Sequence, residues 1–246
     1  MYPTLFRIGS FEITSFGAMM AVAALVGLWL FRRELEYAKI SPNAADAGLV
    51  GVFGGLVGAK LLWTFEHAGE GPLTDLLFAR GGLSWYGGFV GGVGAGLAYI
   101  VMRGWPIVPT LSAATPALAF GHLIGRIGCF LVGDDYGRPT DLPWGVAFPR
   151  GLPPTTVPVH PTQLYEGIGL AVLGWLLIRW RRSGVPDGIV LARYLVCAGA
   201  LRFAVEWLRV DERVAFGMSV AHIASLVVIA AGLVALALQR SPRRTS

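Results

Sequence analysis

The chain has 246 residues, 54% of them hydrophobic and only 14% charged, with a net charge of +5. An ordinary soluble domain is about 25% charged, so the composition excludes a separate soluble domain and points to a membrane protein with no nucleic-acid partner. Its long unbroken apolar runs also exclude an outer-membrane barrel, whose short segments alternate apolar and polar residues.

Crossing a bilayer takes about 20 largely apolar residues. Seven windows qualify, roughly 13–31, 44–65, 83–102, 107–125, 163–180, 188–208 and 216–239. The first follows a mixed polar and apolar stretch, Met1 to Thr14, with no small-x-small site after it, so no cleaved signal peptide is expected. The third opens on Ser84-Trp85-Tyr86-Gly87-Gly88, and the fourth ends just before Arg126. The fifth is the weakest, because Glu166 and Arg179 shorten its apolar centre, and the sixth carries Arg193, Arg202 and Glu206. The 34 glycines allow close approach between helices. The two cysteines, Cys129 and Cys197, have no CxxC spacing, so neither a disulfide framework nor a zinc site is indicated. The expected fold is an all-α integral membrane protein with seven transmembrane helices, a single polytopic domain over residues 1–246. Its one long connection, a Pro- and Gly-rich loop at about 131–162, is too long for a turn and therefore a functional candidate.

Lysine and arginine counts orient the bundle. With the N-terminus outside, the inner connections hold Arg32, Arg33, Lys39, Arg103, Arg179, Arg181, Arg182, Arg240, Arg243 and Arg244. The outer ones hold only Arg7, Arg80, Arg138, Arg150, Arg209 and Arg213. The bias places the C-terminus in the cytoplasm and four polar clusters in the outer half of the membrane: Tyr86 and its glycines, Arg126 with the long loop, His160 to Glu166, and Arg202 about 9 Å below the end of its span.

Arg126 and Arg202 are the residues to explain first, since an ionisable group at membrane depth is costly unless it pairs, lines a wet cavity or binds a charged ligand. A guanidinium keeps its charge and offers a planar fork to phosphate, so a lipid phosphate is the natural ligand. The bland readings are that Arg126 snorkels to the interface and that Arg202 pairs with Glu206 one turn on. Glu166 needs a cationic partner, and Arg126 or Arg202 would serve. Tyr86 fits an interfacial aromatic belt, and Gly87 and Gly88 permit either tight helix packing or close approach of a ligand. His160 precedes a helix start, His122 lies one turn before Arg126, Asp134 and Asp135 open the outer loop, and Cys129 packs as a small apolar residue.

These motifs, Gly125-Arg-Ile-Gly-Cys-Phe-Leu-Val-Gly-Asp-Asp-Tyr-Gly-Arg-Pro-Thr140, His160-Pro-Thr-Gln-Leu-Tyr-Glu166, Ser84 to Gly88, and Arg202-Phe-Ala-Val-Glu-Trp-Leu-Arg209, occur in an order that resembles the bacterial prolipoprotein diacylglyceryl transferases. The resemblance implies a monomeric, seven-helix enzyme of the bacterial inner membrane that needs no cofactor or metal. It would move the diacylglyceryl group of phosphatidylglycerol onto the lipobox cysteine of a preprolipoprotein and release glycerol phosphate at the outer face. Arg126, Arg202, Tyr86, Asp134 and His160 are the expected catalytic residues, and Arg126, Arg202, Gly87, Gly88, Gly137 and Glu166 the expected lipid-binding ones. The family usually has histidine at Tyr86, asparagine at Cys129, glutamate at Asp134, and tyrosines at Phe16 and Ala198. The anion-holding half of the pattern is therefore kept while its proton-handling histidine is absent. The alternatives are a divergent homologue with another acceptor, a catalytically silent phospholipid-binding protein, or a small transporter, which would carry polar residues through both halves of the membrane.

Overall fold

The computed structural model describes residues 3–8, 11–79 and 82–240. Arg80, Arg243 and Arg244, which entered the orientation count, lie outside the described residues. Among the described residues six helices are long and apolar enough to cross a membrane: α1 (Ser15–Tyr37), α2 (Asp46–Glu66) with the 3-10 turn before it, α4 (Trp85–Met102), α5 (Ile107–Val132), α7 (Asp187–Glu206) and α8 (Val220–Arg240). A short helix, α3 (Leu73–Phe78), lies between α2 and α4. The expected fifth span is α6 (Thr162–Arg182), whose 21 residues reach about 32 Å. It falls outside the six because Glu166 and the arginines of its last turn dilute the apolar stretch. Two small antiparallel hairpins, not anticipated from the sequence, complete the fold: β1 (Thr4–Ile8) with β2 (Phe11–Thr14), and β3 (Val146–Phe148) with β4 (Thr155–Val159) inside the long loop.

The chain divides into two compact units, Phe31–Leu111 and the remainder, Met1–Leu30 with Ser112–Ser246. In the first, α2 and α4 meet along glycines. A Cβ at Gly91 would lie 3.0 Å from the Gly58 Cα, one at Gly92 3.0 Å from the Gly51 carbonyl oxygen, and one at Gly87 would collide with the Gly58 carbonyl. With no side chains between them the two backbones touch, which is how small residues drive helix association where lipid is as apolar as leucine. Lys60 is met locally: its ammonium donates to the Ala79 carbonyl at 3.0 Å and lies over the Trp63 ring.

In the second unit, Ala119, Leu173, Leu177 and Val190 form a buried core of α5, α6 and α7. Gly199 of α7 lies against Ser225 and Ile229 of α8, and Gly232 of α8 against Val196 of α7. Pro116 sits inside α5 and deprives the Ser112 carbonyl of its helical donor. The Thr115 hydroxyl donates to that carbonyl at 2.8 Å, which satisfies it without breaking the helix. Arg181 is buried and donates to Ser112 Oγ at 2.7 Å while pairing with Asp187 at 3.0 Å.

Candidate active site

The site lies where the ends of α5 and α7 and the start of α6 meet the long loop. Helix α5 continues seven residues past its expected end at 125, because Gly125 and Gly128 let α1 approach, through Met20, Met19 and Phe16, instead of breaking the helix. It stops at Gly133, whose φ of 78° is the left-handed conformation that closes many helices. Arg126 is thus inside the helix, about 9 Å from its end, and not just beyond it. Helix α7 ends earlier than expected, at Glu206, which puts Arg202 about 6 Å from the helix end and not the expected 9 Å.

Both arginines converge on one carboxylate oxygen. Glu166 Oε2 is 3.0 Å from Arg126 Nε and 3.3 Å from Arg202 Nη1, and Glu166 Oε1 is 3.6 Å from His122 Nε2. Glu166 is 1% exposed and Arg126 is 6% exposed, so this is a desolvated ion pair. The pairing is within Coulombic range but off the line of the Arg126 N–H, and Nε and Nη2 of Arg126 find no hydrogen-bond acceptor among the described residues. Arg126 Nη1 donates to Asp135 Oδ2 at 2.8 Å. Arg202 Nη2 donates to Glu206 Oε2 at 2.7 Å, so the expected one-turn pair is present as well. The snorkelling alternative for Arg126 does not hold, because its guanidinium is enclosed.

Four further groups that the sequence reading did not assign, Arg209, Asp211, Ser219 and His222, complete the cluster. Arg209 Nη2 donates to Asp135 Oδ1 at 2.9 Å, and its Nε donates to Asp211 at 2.8 Å and lies 3.4 Å from Glu206. Burial opposes ionisation of Asp135, but hydrogen bonds from Arg209 and then Arg126 outweigh it and hold the carboxyl down at about 2. Ser219 donates to Glu206 Oε1 at 2.5 Å and His222 Nδ1 lies 3.0 Å from that hydroxyl, which fixes the far side of Glu206. The i, i+3 spacing of Glu206 and Arg209 was the available sequence signal. Nothing local linked Asp135 to Arg209, 74 residues away.

The remaining expected residues are placed as follows. Burial raises the Asp134 carboxyl above its ordinary value, opposed by a hydrogen bond from the Cys129 thiol, and its Oδ1 is buried with no partner among the described residues. Cys129 is buried, but its Sγ lies 3.7 Å from Arg126 Nη1, a polar setting and not the apolar packing expected of it. Cys129, Asp134 and Asp135 present donor atoms within 4.8 Å of one another. A cation there would face Arg126 and Arg209, which already hold Asp135. His160 Nδ1 shares a 3.3 Å hydrogen bond with the Tyr165 hydroxyl, which also accepts from Trp144 Nε1 at 2.8 Å. Burial and then Arg138 lower the His160 imidazole below its usual value, which favours its neutral, proton-accepting form. Gly137 donates its N–H to the His160 carbonyl at 2.9 Å, and a Cβ there would meet Leu208 O at 2.6 Å and His160 Cβ at 2.9 Å. It joins the loop to α6 and α7 through backbone, a packing role distinct from the expected contact with lipid. In the other unit, Tyr86 is half-exposed in the first turn of α4, its ring edge-on to Trp85. Gly87 is buried against α2, so tight packing accounts for it; a Cβ at Gly88 would lie 3.4 Å from Ala59 Cβ, an ordinary contact.

A model of the prolipoprotein diacylglyceryl transferase family matches residues 3–238. The chain belongs to that family. Relatives named phosphatidylglycerol--prolipoprotein diacylglyceryl transferase include one from Clostridium tetani, 32% identical over 241 residues that cover 95% of this chain and 96% of the relative. Another, from Synechococcus elongatus, is 32% identical over 95% of this chain and 86% of the relative. A third, from Vibrio parahaemolyticus, is 34% identical over 84% of this chain and 78% of the relative. The match runs through both units and covers the hairpins and the loop as well as the helices, and the protein is a multi-pass membrane transferase.

Proposed function

We propose that the protein transfers the diacylglyceryl group of phosphatidylglycerol to the lipobox cysteine thiol of preprolipoproteins, the first step of lipoprotein maturation. The observation that carries this reading is the convergence of Arg126 and Arg202 on one oxygen of buried Glu166, in a chain of this family. In the reaction the thiol loses its proton, sulfur bonds to the glycerol carbon that carries the phosphate, and the carbon–oxygen bond breaks with its electrons passing to the phosphate oxygen. Glycerol phosphate leaves. Charge grows on the departing phosphate, and fixed guanidinium groups in a dry site stabilise it more than water would.

Arg126 and Arg202 bind the phosphate, with Glu166 holding their planes. A thiol of ordinary pKa is a few per cent ionised at neutral pH and gains from a base. Asp134, with its unpartnered buried oxygen, and neutral His160 are the candidates, and Tyr86, half-exposed in the first turn of α4, is proposed to contact substrate. Gly137 holds the loop that carries Asp134. We place α6 as a seventh span on the strength of its length, in one polytopic domain over residues 1–246 with the N-terminus outside and the C-terminus inside. The site then faces the outer side of the bacterial inner membrane, as the lysine and arginine count favours, and the protein works as a monomer. Purified protein is assayed with labelled phosphatidylglycerol and a lipobox peptide, and complementation is scored in cells depleted of their own transferase. Transfer that is abolished by Arg126→Ala supports the reading, and no transfer by a folded protein that binds both substrates refutes it.

A further inference from the structure

Arg126 has two carboxylate partners of opposite character. Glu166 is 2% exposed in its side chain and sits on a helix, whereas Asp135 is 44% exposed and sits on the loop. The Asp135 backbone is pinned: its carbonyl accepts from Thr162 Oγ1 at 2.7 Å and from Arg209 Nη1 at 2.9 Å, and its φ of 58° is left-handed, rare for a residue with a Cβ. That conformation aims the carboxylate between two guanidinium groups, at 2.8 Å from Arg126 and 2.9 Å from Arg209. Only its side-chain torsions are free to release it, and its exposure gives it somewhere to go.

The charges of the cluster make release necessary for an anionic ligand. Arg126, Arg202 and Arg209 are met by Glu166, Glu206, Asp135 and Asp211, three cations against four carboxylates. A phosphodiester added to this set would enter a site that already carries an excess of negative charge. Exchanged for the Asp135 carboxylate, it leaves the balance unchanged. It would also reach Nη2 of Arg126, which is buried and has no acceptor among the described residues.

We infer that the Asp135 carboxylate is a displaceable stand-in for the lipid phosphate, holding the Arg126–Arg209 anion site closed and setting the affinity with which a phosphodiester lipid enters. The inference rests on the proposed binding of phosphate at Arg126. Phosphatidylglycerol binding is measured on the purified full chain in phosphatidylcholine nanodiscs, by titrating labelled lipid against wild type, Asp135→Asn, Asp135→Glu, Arg126→Ala and the Asp135→Asn/Arg126→Ala double variant. Asp135→Asn binds roughly five- to thirty-fold tighter, the scale of one lost charge competitor. Asp135→Glu, which keeps the charge, does not tighten binding, and the gain vanishes in the double variant. Unchanged or weaker binding by Asp135→Asn, where Arg126→Ala still weakens it, overturns this inference alone. If Arg126→Ala binds phosphatidylglycerol as wild type does, the phosphate reading of the site falls with it.

Discussion

Replacing Glu166 by glutamine tests whether this carboxylate is the fixed counter-ion of the site. The amide keeps the shape of the side chain, so no cavity opens, but it removes the charge that faces Arg126 at 3.0 Å, Arg202 at 3.3 Å and His122 at 3.6 Å. Removing one partner of a buried pair costs about 3–5 kcal/mol, because the other charge stays desolvated. Arg202 is partly exposed and keeps Glu206 at 2.7 Å, so its share is about 0–1 kcal/mol. Arg126 is the enclosed member, yet it keeps Asp135 at 2.8 Å, which puts the total near the lower bound, about 3 kcal/mol. At 1.36 kcal/mol per tenfold, Glu166→Gln lowers the folding equilibrium constant roughly 150-fold. Equilibrium unfolding in mixed micelles, followed by circular dichroism, gives the difference directly. A variant within about 0.5 kcal/mol of wild type, the scatter of a surface change, would show that Arg126 does not depend on Glu166.

Three other changes each address one further residue. Gly137→Ala forces a methyl group against a backbone carbonyl at 2.6 Å and the His160 Cβ at 2.9 Å, neither of which yields cheaply, and lowers unfolding stability by about 1–3 kcal/mol. Because the His160 imidazole is held below its unfolded value, the unfolded chain binds more protons between the two values. Stability therefore rises with pH through that window, is fully present above about 6.5, and declines as pH falls below it. His160→Asn removes this limb from the pH–stability curve, and an unchanged curve means that the imidazole titrates as it does in the unfolded chain. Tyr86→His, placing a proton acceptor in the first turn of α4, raises the transfer rate about 100-fold, the low side of what a positioned base contributes. A fall in rate shows instead that the tyrosine is part of a rebuilt site.

The six apolar spans were legible because apolar length is a local property, written in consecutive residues. Helix α6 was the weak case for a local reason too, since Glu166 sits in its first turns and its arginines crowd the last. The end of α5 was misread because Gly125, Arg126 and Gly128 look like a stop. In the fold those glycines receive α1, and the arginine is compensated from α6, forty residues downstream. Hairpins β3–β4 and β1–β2 carry too few residues for a period-two signal among prolines and glycines.

The candidate site was legible as a set of expensive residues but not as a circuit. The cost of burying Arg126, Arg202 and Glu166 marks each of them singly, and the one-turn spacing of Arg202 and Glu206 marks a pair. Asp135 carried no such mark, because an aspartate at the start of an outer loop is ordinarily solvated. Its part depends on a left-handed backbone after Gly133 and on an arginine three residues past the end of α7. Two guanidinium groups left unpaired for a phosphate would be costly to hold in a dry site. Local carboxylates settle that cost in the resting protein, so a lipid phosphate must compete with groups of its own charge. Its net binding therefore reflects the difference between two anions at Arg126, and the exposure of Asp135 marks which of the two yields.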